Sequence, residues 1–223
     1  MLITRRTKIY SVVGCIALIF VLSLYIYNDN SSSIGLSAKR IQELRQKYPS
    51  LDGEHPTYHM KKQSFQEVTK LTETIITAEV IGELPEYDID LTGLPNTPEN
   101  KINQKRKQNG LSTLTATFTQ YEVKVLETIN GNPVTGNIKL VYNSVFRGIE
   151  PDLKKGMKIV TAIAAGKLAH EGKYYFTRYG TYYIVDNDFV LSAVDDEFSI
   201  KMNGRLLKEF IEEISTIPLP APR

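Results

Sequence analysis

Residues 113–129 read TLTATFTQYEVKVLETI, and this stretch decides the fold. Leu114, Ala116 and Phe118 alternate with polar residues, as do Tyr121, Val123 and Val125. A period of two marks a strand with one face in a core and one toward water. The two sets are out of phase, and the slip falls near Thr119 and Gln120. A slip inside a long strand predicts a bulge or bend, which curls a sheet.

Working outward, Asn130-Gly131 and Pro133 turn the chain into a second strand over 137–143 (NIKLVYN). Residues 158–165 (KIVTAIAA), introduced by Lys155-Gly156, read as a buried strand. Strands are expected over 173–179 and 181–186, divided at Gly180, and Asn187-Asp188 turns into another at 189–194. Upstream, residues 75–83 (IITAEVIGE) form a strand, and 82–109 is expected as a long loop because of its prolines and glycines. Ser64 and Glu67 make a capping box, so a short helix is predicted over 64–73. Leu206, Leu207, Phe210, Ile211 and Ile214 mark one face of a helix over 203–214, and the prolines of 217–223 cannot extend it. The class is therefore mainly β: a small closed β-barrel with flanking helices.

The order of elements also carries a resemblance. Residues 73–80 lead to the long loop; 121–126 (YEVKVL), Asn130-Gly131, 136–141 (GNIKLV), 151–160 (PDLKKGMKIV) and 174–185 follow. Over residues 73–194 this order resembles the netrin-like module, the OB-type barrel also found in tissue inhibitors of metalloproteinases. The resemblance implies an OB-like fold and no functional residue. Those proteins are rich in disulfides, and the inhibitors bind zinc through an N-terminal cysteine. Here the only cysteine is Cys15.

Cys15 belongs to residues 9–27 (IYSVVGCIALIFVLSLYIY), which hold no charge. As a helix the stretch would span about 28 Å, close to a hydrocarbon core of about 30 Å. Arg5, Arg6 and Lys8 precede it, and no basic residue follows before Lys39. The positive-inside rule makes 1–8 a cytoplasmic flank and places the rest outside. Bulky residues after the apolar run disfavour cleavage, so an uncleaved single-pass anchor in lipid is expected. Residues 28–62 read as a polar linker and stalk, with a short charged helix over 37–47, and 63–216 as the extracytoplasmic domain.

Beyond the anchor, 24 Lys and Arg stand against 25 Asp and Glu, so nucleic acid is not an expected partner. A disulfide-free domain without Trp suits the envelope of a Gram-positive bacterium. No P-loop, G-x-G-x-x-G or G-x-S-x-G is present, and neither a cofactor nor a metal is expected. His55 and His59 have helical zinc spacing, but Gly53 and Pro56 break the helix. The acids Asp186, Asp188, Asp195, Asp196 and Glu197 lack calcium-loop spacing.

The candidate binding residues are Tyr175, Tyr179 and Tyr183, expected as an exposed aromatic ladder, and Lys105, Arg106 and Lys107 in the long loop. The leading expectation is a binding or adaptor protein of the envelope whose partner is an envelope protein or a glycan. A carbohydrate-active hydrolase using paired carboxylates among Glu79, Glu83, Asp88 and Asp90 is the alternative. An immunity or stress factor is a third.

Overall fold

Thr74–Asp90 (β1) and Thr115–Gly131 (β2) pair antiparallel along most of their length, so one long hairpin organises the sheet. The computed structural model describes residues 35–54, 61–92 and 97–220. Asn137–Asn143 (β3), Lys158–Ala165 (β4), Lys173–Tyr175 (β5), Thr181–Val185 (β6) and Phe189–Ser192 (β7) complete a seven-stranded mixed sheet. Its order is β1-β2-β3-β5-β4-β6-β7, and β4 also pairs with β1. The pairing therefore returns to its start through β1, β2, β3, β5 and β4. The β3–β5 pair is parallel and the other pairs are antiparallel.

The mainly β class expected from alternation is what the chain adopts. The expected slip near Thr119 is present, but the extra residue lies on β1. The β1–β2 register shifts between Leu84 and Tyr87, opposite Gln120 and Phe118, whereas β2 and β3 stay in register through this region. Gly131 has φ +89°, and a Cβ there would lie 2.1 Å from the Glu73 carbonyl oxygen, so only glycine fits this turn.

The expected long loop over 82–109 is corrected. β1 runs on to Asp90, and Pro98–Gln108 is a helix. Pro85 lies inside the register shift between Leu84 and Tyr87, where a missing amide costs no ladder bond. Thr97 caps the helix by accepting from the Asn100 amide at 3.3 Å, and Pro98 fills its first turn.

Among the described residues five helices flank the sheet: Ala38–Arg45 (α1), Phe65–Thr69 (α2), Pro98–Gln108 (α3), Glu197–Met202 (α4) and Leu207–Ser215 (α5). α2 begins with the predicted capping box of Ser64 and Glu67. α4 was not expected, because Asp196 reads as one of a run of acids. It is the cap, accepting from the amides of Phe198 and Ser199 at 2.9 and 3.1 Å.

Two cores lie on opposite faces of the sheet. Ile76, Tyr121, Leu140, Ile159 and Tyr183 belong to the one inside the closed circuit of strands. Phe65, Val160, Tyr182, Phe210 and Ile214 belong to the other, beneath α2, α4 and α5. Leu36–Arg223 contains both cores and the seven strands of the sheet, as one compact unit.

The stalk expected over 28–62 is corrected for residues 36–54, which are strapped onto this unit. The Leu36 amide donates to the Gly204 carbonyl at 2.8 Å, and Arg40 grips Asp186 with two bonds of 2.8 Å. Leu44 and Tyr48 are buried, with the Tyr48 ring 5.4 Å from that of Tyr183. The Leu51 amide donates to the Ala193 carbonyl at 2.7 Å. Arg178, 2% exposed, donates from Nη1 to the carbonyls of Leu51 and Gly53, and from Nη2 to the Tyr179 hydroxyl. Residues 1–34, with the expected anchor, and His55 and His59 lie outside the described residues. Among the described residues no helix is long and apolar enough to cross a membrane.

Glu150 is buried beside this strap and accepts from the Arg178 amide at 2.5 Å. Burial pushes its carboxyl up from 4.5 to about 7, against the pull of Arg178. The folded chain therefore holds this proton more tightly than the unfolded chain. The stabilisation is complete below the unfolded value and is lost as pH rises through about 7. It corresponds to about 3 kcal/mol. Urea unfolding of Leu36–Arg223 should show stability falling between pH 5 and pH 8, and Glu150→Gln should flatten that slope.

Candidate functional site

In β2 the residues that alternate with Tyr121 and Val123 point away from the inner core. Phe118 stands opposite Asn143, Gln120 opposite Val141 and Glu122 opposite Lys139. On β5, Lys173 stands opposite Lys139 and Tyr175 opposite Val141. Cross-strand partners share a face, so Phe118, Val141, Tyr175 and Lys173 line the outer side of β2, β3 and β5. Tyr174, one residue from Tyr175, packs on the inner core instead.

Two further elements build this face into an aromatic cluster. The distal part of β1 brings Tyr87 opposite Phe118, with the rings stacked at 5.5 Å. The β4–β5 loop brings His170 down between them. Its ring meets Phe118 edge-on at 4.4 Å and Tyr175 at 4.9 Å, and its Nδ1 is 2.8 Å from the Tyr87 hydroxyl. Lys173 Nζ lies 4.5 Å from the centre of the Tyr87 ring, a cation–π contact. Burial, with Lys173 nearby, lowers the His170 pKa and favours the neutral imidazole. Burial pushes the Tyr87 phenol up to about 12. Phe118 is the buried floor, while Tyr87, His170 and Tyr175 remain partly exposed.

The loop that delivers His170 is tightly wound. The Gly166 amide donates to the Lys173 carbonyl at 2.8 Å, and a Cβ on Gly166 would sit 2.2 Å from the His170 carbonyl oxygen. Leu168 has φ +54° at the loop tip and is 93% exposed. Beside the cluster, Arg147 Nη2 meets Glu83 at 2.8 Å and Glu86 at 2.9 Å, and the Ser144 hydroxyl donates to Glu86 at 2.8 Å. These bonds tie the turn Ser144–Phe146 to β1.

Of the six predicted binding residues, Tyr175 alone lies in this cluster. The expected exposed tyrosine ladder is corrected: Tyr179 and Tyr183 are 7% and 1% exposed. Helices and the strap cover β6 on both faces, so Tyr182 enters one core and Tyr183 the other. Lys105, Arg106 and Lys107 form the last turn of α3, where cations suit the free carbonyls. Arg106 Nε donates to the Ser112 carbonyl at 2.7 Å, and no contact joins the three to the aromatic cluster among the described residues.

The carboxylates considered for hydrolysis are spread along β1. Glu83 pairs with Arg147; Asp88 accepts from the Thr117 hydroxyl at 2.6 Å, and Asp90 from the Thr92 amide at 2.8 Å. Arg147 lowers the pKa of Glu86, and Thr92 that of Asp90, whereas a glycosidase acid must be held high. Among the described residues the carboxyl held high is that of Glu150, buried at the strap.

Tyr87, Phe118, His170 and Lys173 were not singled out from the sequence as one site. They lie on separate strands and a loop, and the pairing of distal β1 with β2, together with that of β3 with β5, brings them together.

Gly166→Ala should dislodge His170. A steric change of this kind costs about 1–3 kcal/mol. Chemical denaturation would measure that loss, and the His170 ring signals in NMR should move toward those of a solvated imidazole.

No family model matches the chain and no curated protein matches it in sequence, so the reading of the site rests on its geometry.

Proposed function

We propose that this chain is a single-pass, membrane-anchored protein of the bacterial cell envelope that displays an OB-type barrel as a glycan-binding module. Residues 9–27 would hold it in lipid, with 1–8 in the cytoplasm and the domain outside. The strand circuit β1-β2-β3-β5-β4-β1, with its parallel β3–β5 pair, supports the OB-type reading, and with it the resemblance to the netrin-like module.

The observation that carries the binding role is the partly open cluster of Tyr87, His170 and Tyr175 on the floor of Phe118. OB-type barrels bind oligosaccharides and oligonucleotides on the outer face of their second and third strands, between the loops that flank it. Aromatic faces stack on the apolar side of a sugar ring, and Lys173 and His170 supply polar groups at their rim. The near-balanced charge of the domain favours a sugar over a polyphosphate strand.

Purified Leu36–Arg223 should be retained by cell-wall polymers from Gram-positive bacteria. Tyr87→Ala combined with Tyr175→Ala should lower retention by about tenfold or more, since each lost stacking contact removes on the order of 1 kcal/mol, with the far-ultraviolet circular dichroism unchanged. A wild-type domain that passes through every polymer, or a double variant retained equally well, would overturn the proposal.

A further inference from the structure

The outer face of β4 carries two alanines beside Tyr175. Ala164 stands opposite Tyr175, so the two share a face. Ala162, two residues back along β4, lies on that face as well and belongs to the outer core. Val68 of α2 and Leu71 just after it stand over these alanines, and a pocket of about 180 Å³ lies among them, with Tyr175 and Gln63 in its wall. α2 and β4 meet at Gly180. A Cβ there would lie 3.0 Å from Val68 and 3.2 Å from Ala162, so these two residues close one side of the pocket.

The chemistry of the walls is simple. Among the described residues no charged side chain lines the pocket. Leu71, 61% exposed, is an apolar wall left open to solvent. The carboxamide of Gln63 has no hydrogen-bond partner among the described residues, so it is free to donate and to accept. Tyr175 belongs both to this pocket and to the aromatic face, where the His170 ring lies 4.9 Å from its own. A sugar stacked on Tyr175 therefore has the pocket beside it. A bare hydroxyl would lose water there and find few partners. An acyl methyl gains from the same walls. The amide that carries such a methyl offers one donor and one acceptor, which the Gln63 carboxamide matches.

We infer that the sugar held at the aromatic face carries an acylamino group, whose methyl enters this pocket and whose amide pairs with Gln63. The inference rests on the glycan reading of that face and narrows it to one class of sugar. Alanine at 162 and 164 is what leaves the room: a larger side chain at either position would fill the space that the methyl takes.

The probes are the chitin tetrasaccharide, built of N-acetylglucosamine, and the cellulose tetrasaccharide, which has the same linkage and a hydroxyl in place of each acetamido group. Each would be titrated against the full chain in detergent micelles, by calorimetry and by NMR of labelled methyl groups. The acetamido oligomer should bind about tenfold more tightly or better. Its acetyl methyl should give nuclear Overhauser contacts to the methyls of Ala164 and Leu71. Ala164→Leu should bring the two oligomers to equal affinity, and Gln63→Ala, a change at the pocket wall, should reduce the preference. Equal affinity in the unaltered chain, or a preference that both variants leave unchanged, would overturn the inference and leave the glycan reading standing. If neither oligomer binds at millimolar concentration the inference falls as well, and retention by cell-wall polymers then decides whether the glycan reading falls with it.

Discussion

β4 has a strand on each edge and a core on each face, and the rest of the fold depends on keeping it there. One edge pairs with β1, while the other is divided between β6 and β5. Five successive residues from Ile159 are buried. Ile159 and Ile163 enter the inner core, Val160 and Ala162 the outer one. The polar member of the run, Thr161, exchanges a hydrogen bond of 3.0 Å with Thr181. A strand covered on both faces needs two layers over it, which is why a chain with one sheet carries two cores. α2, α4 and α5 supply the outer layer. The strap of residues 36–54 adds Leu44 and Tyr48 to the inner core at Tyr183.

The strap is held by a buried cation at one end. Burying a guanidinium is costly unless its donors are satisfied, and Arg178 meets the cost with two carbonyls and a phenol. Its Nε has no partner among the described residues, and the nearby Glu150 carboxyl is pushed toward its neutral form. The arrangement trades stability for position. Apolar residues could fill the space more cheaply, but they could not hold the carbonyls of Leu51 and Gly53. These bonds share the anchoring of the strap with those of Arg40 and Arg45 and with the main-chain bonds of Leu36 and Leu51.

The regular elements were legible in the sequence because each is set by local periodicity. β3 and β4 have the bounds their patterns gave, and the Ser64 capping box is formed. What failed was non-local. Pro85 and Gly82 read as loop residues because sequence does not show that register shifts would accommodate them within a strand. Tyr183 read as a surface aromatic because nothing in its neighbourhood says that α1 and Tyr48 will cover it. The aromatic cluster was invisible for the same reason: Tyr87 and His170 are 83 positions apart, and their contact depends on where two connections of the sheet meet.

The two halves of the β1–β2 hairpin face different demands. Near Thr74, β1 is held by β2 and β4 together, and its side chains are almost all buried. Beyond Val80 it loses β4, and its outer edge is exposed. There the sequence carries Glu83, Pro85, Glu86, Asp88 and Asp90, the charges and proline that keep an open edge from pairing with other chains. Glu83 and Glu86 among them draw in Arg147, which fixes the turn after β3. β2 continues past the end of β3 as Thr115, Ala116 and Thr117, with no charge and no proline. One edge of the hairpin is blocked by its composition, the other is covered by β3 as far as Asn143, and the Glu83–Arg147–Glu86 cluster on β1 ties down the turn where that cover ends.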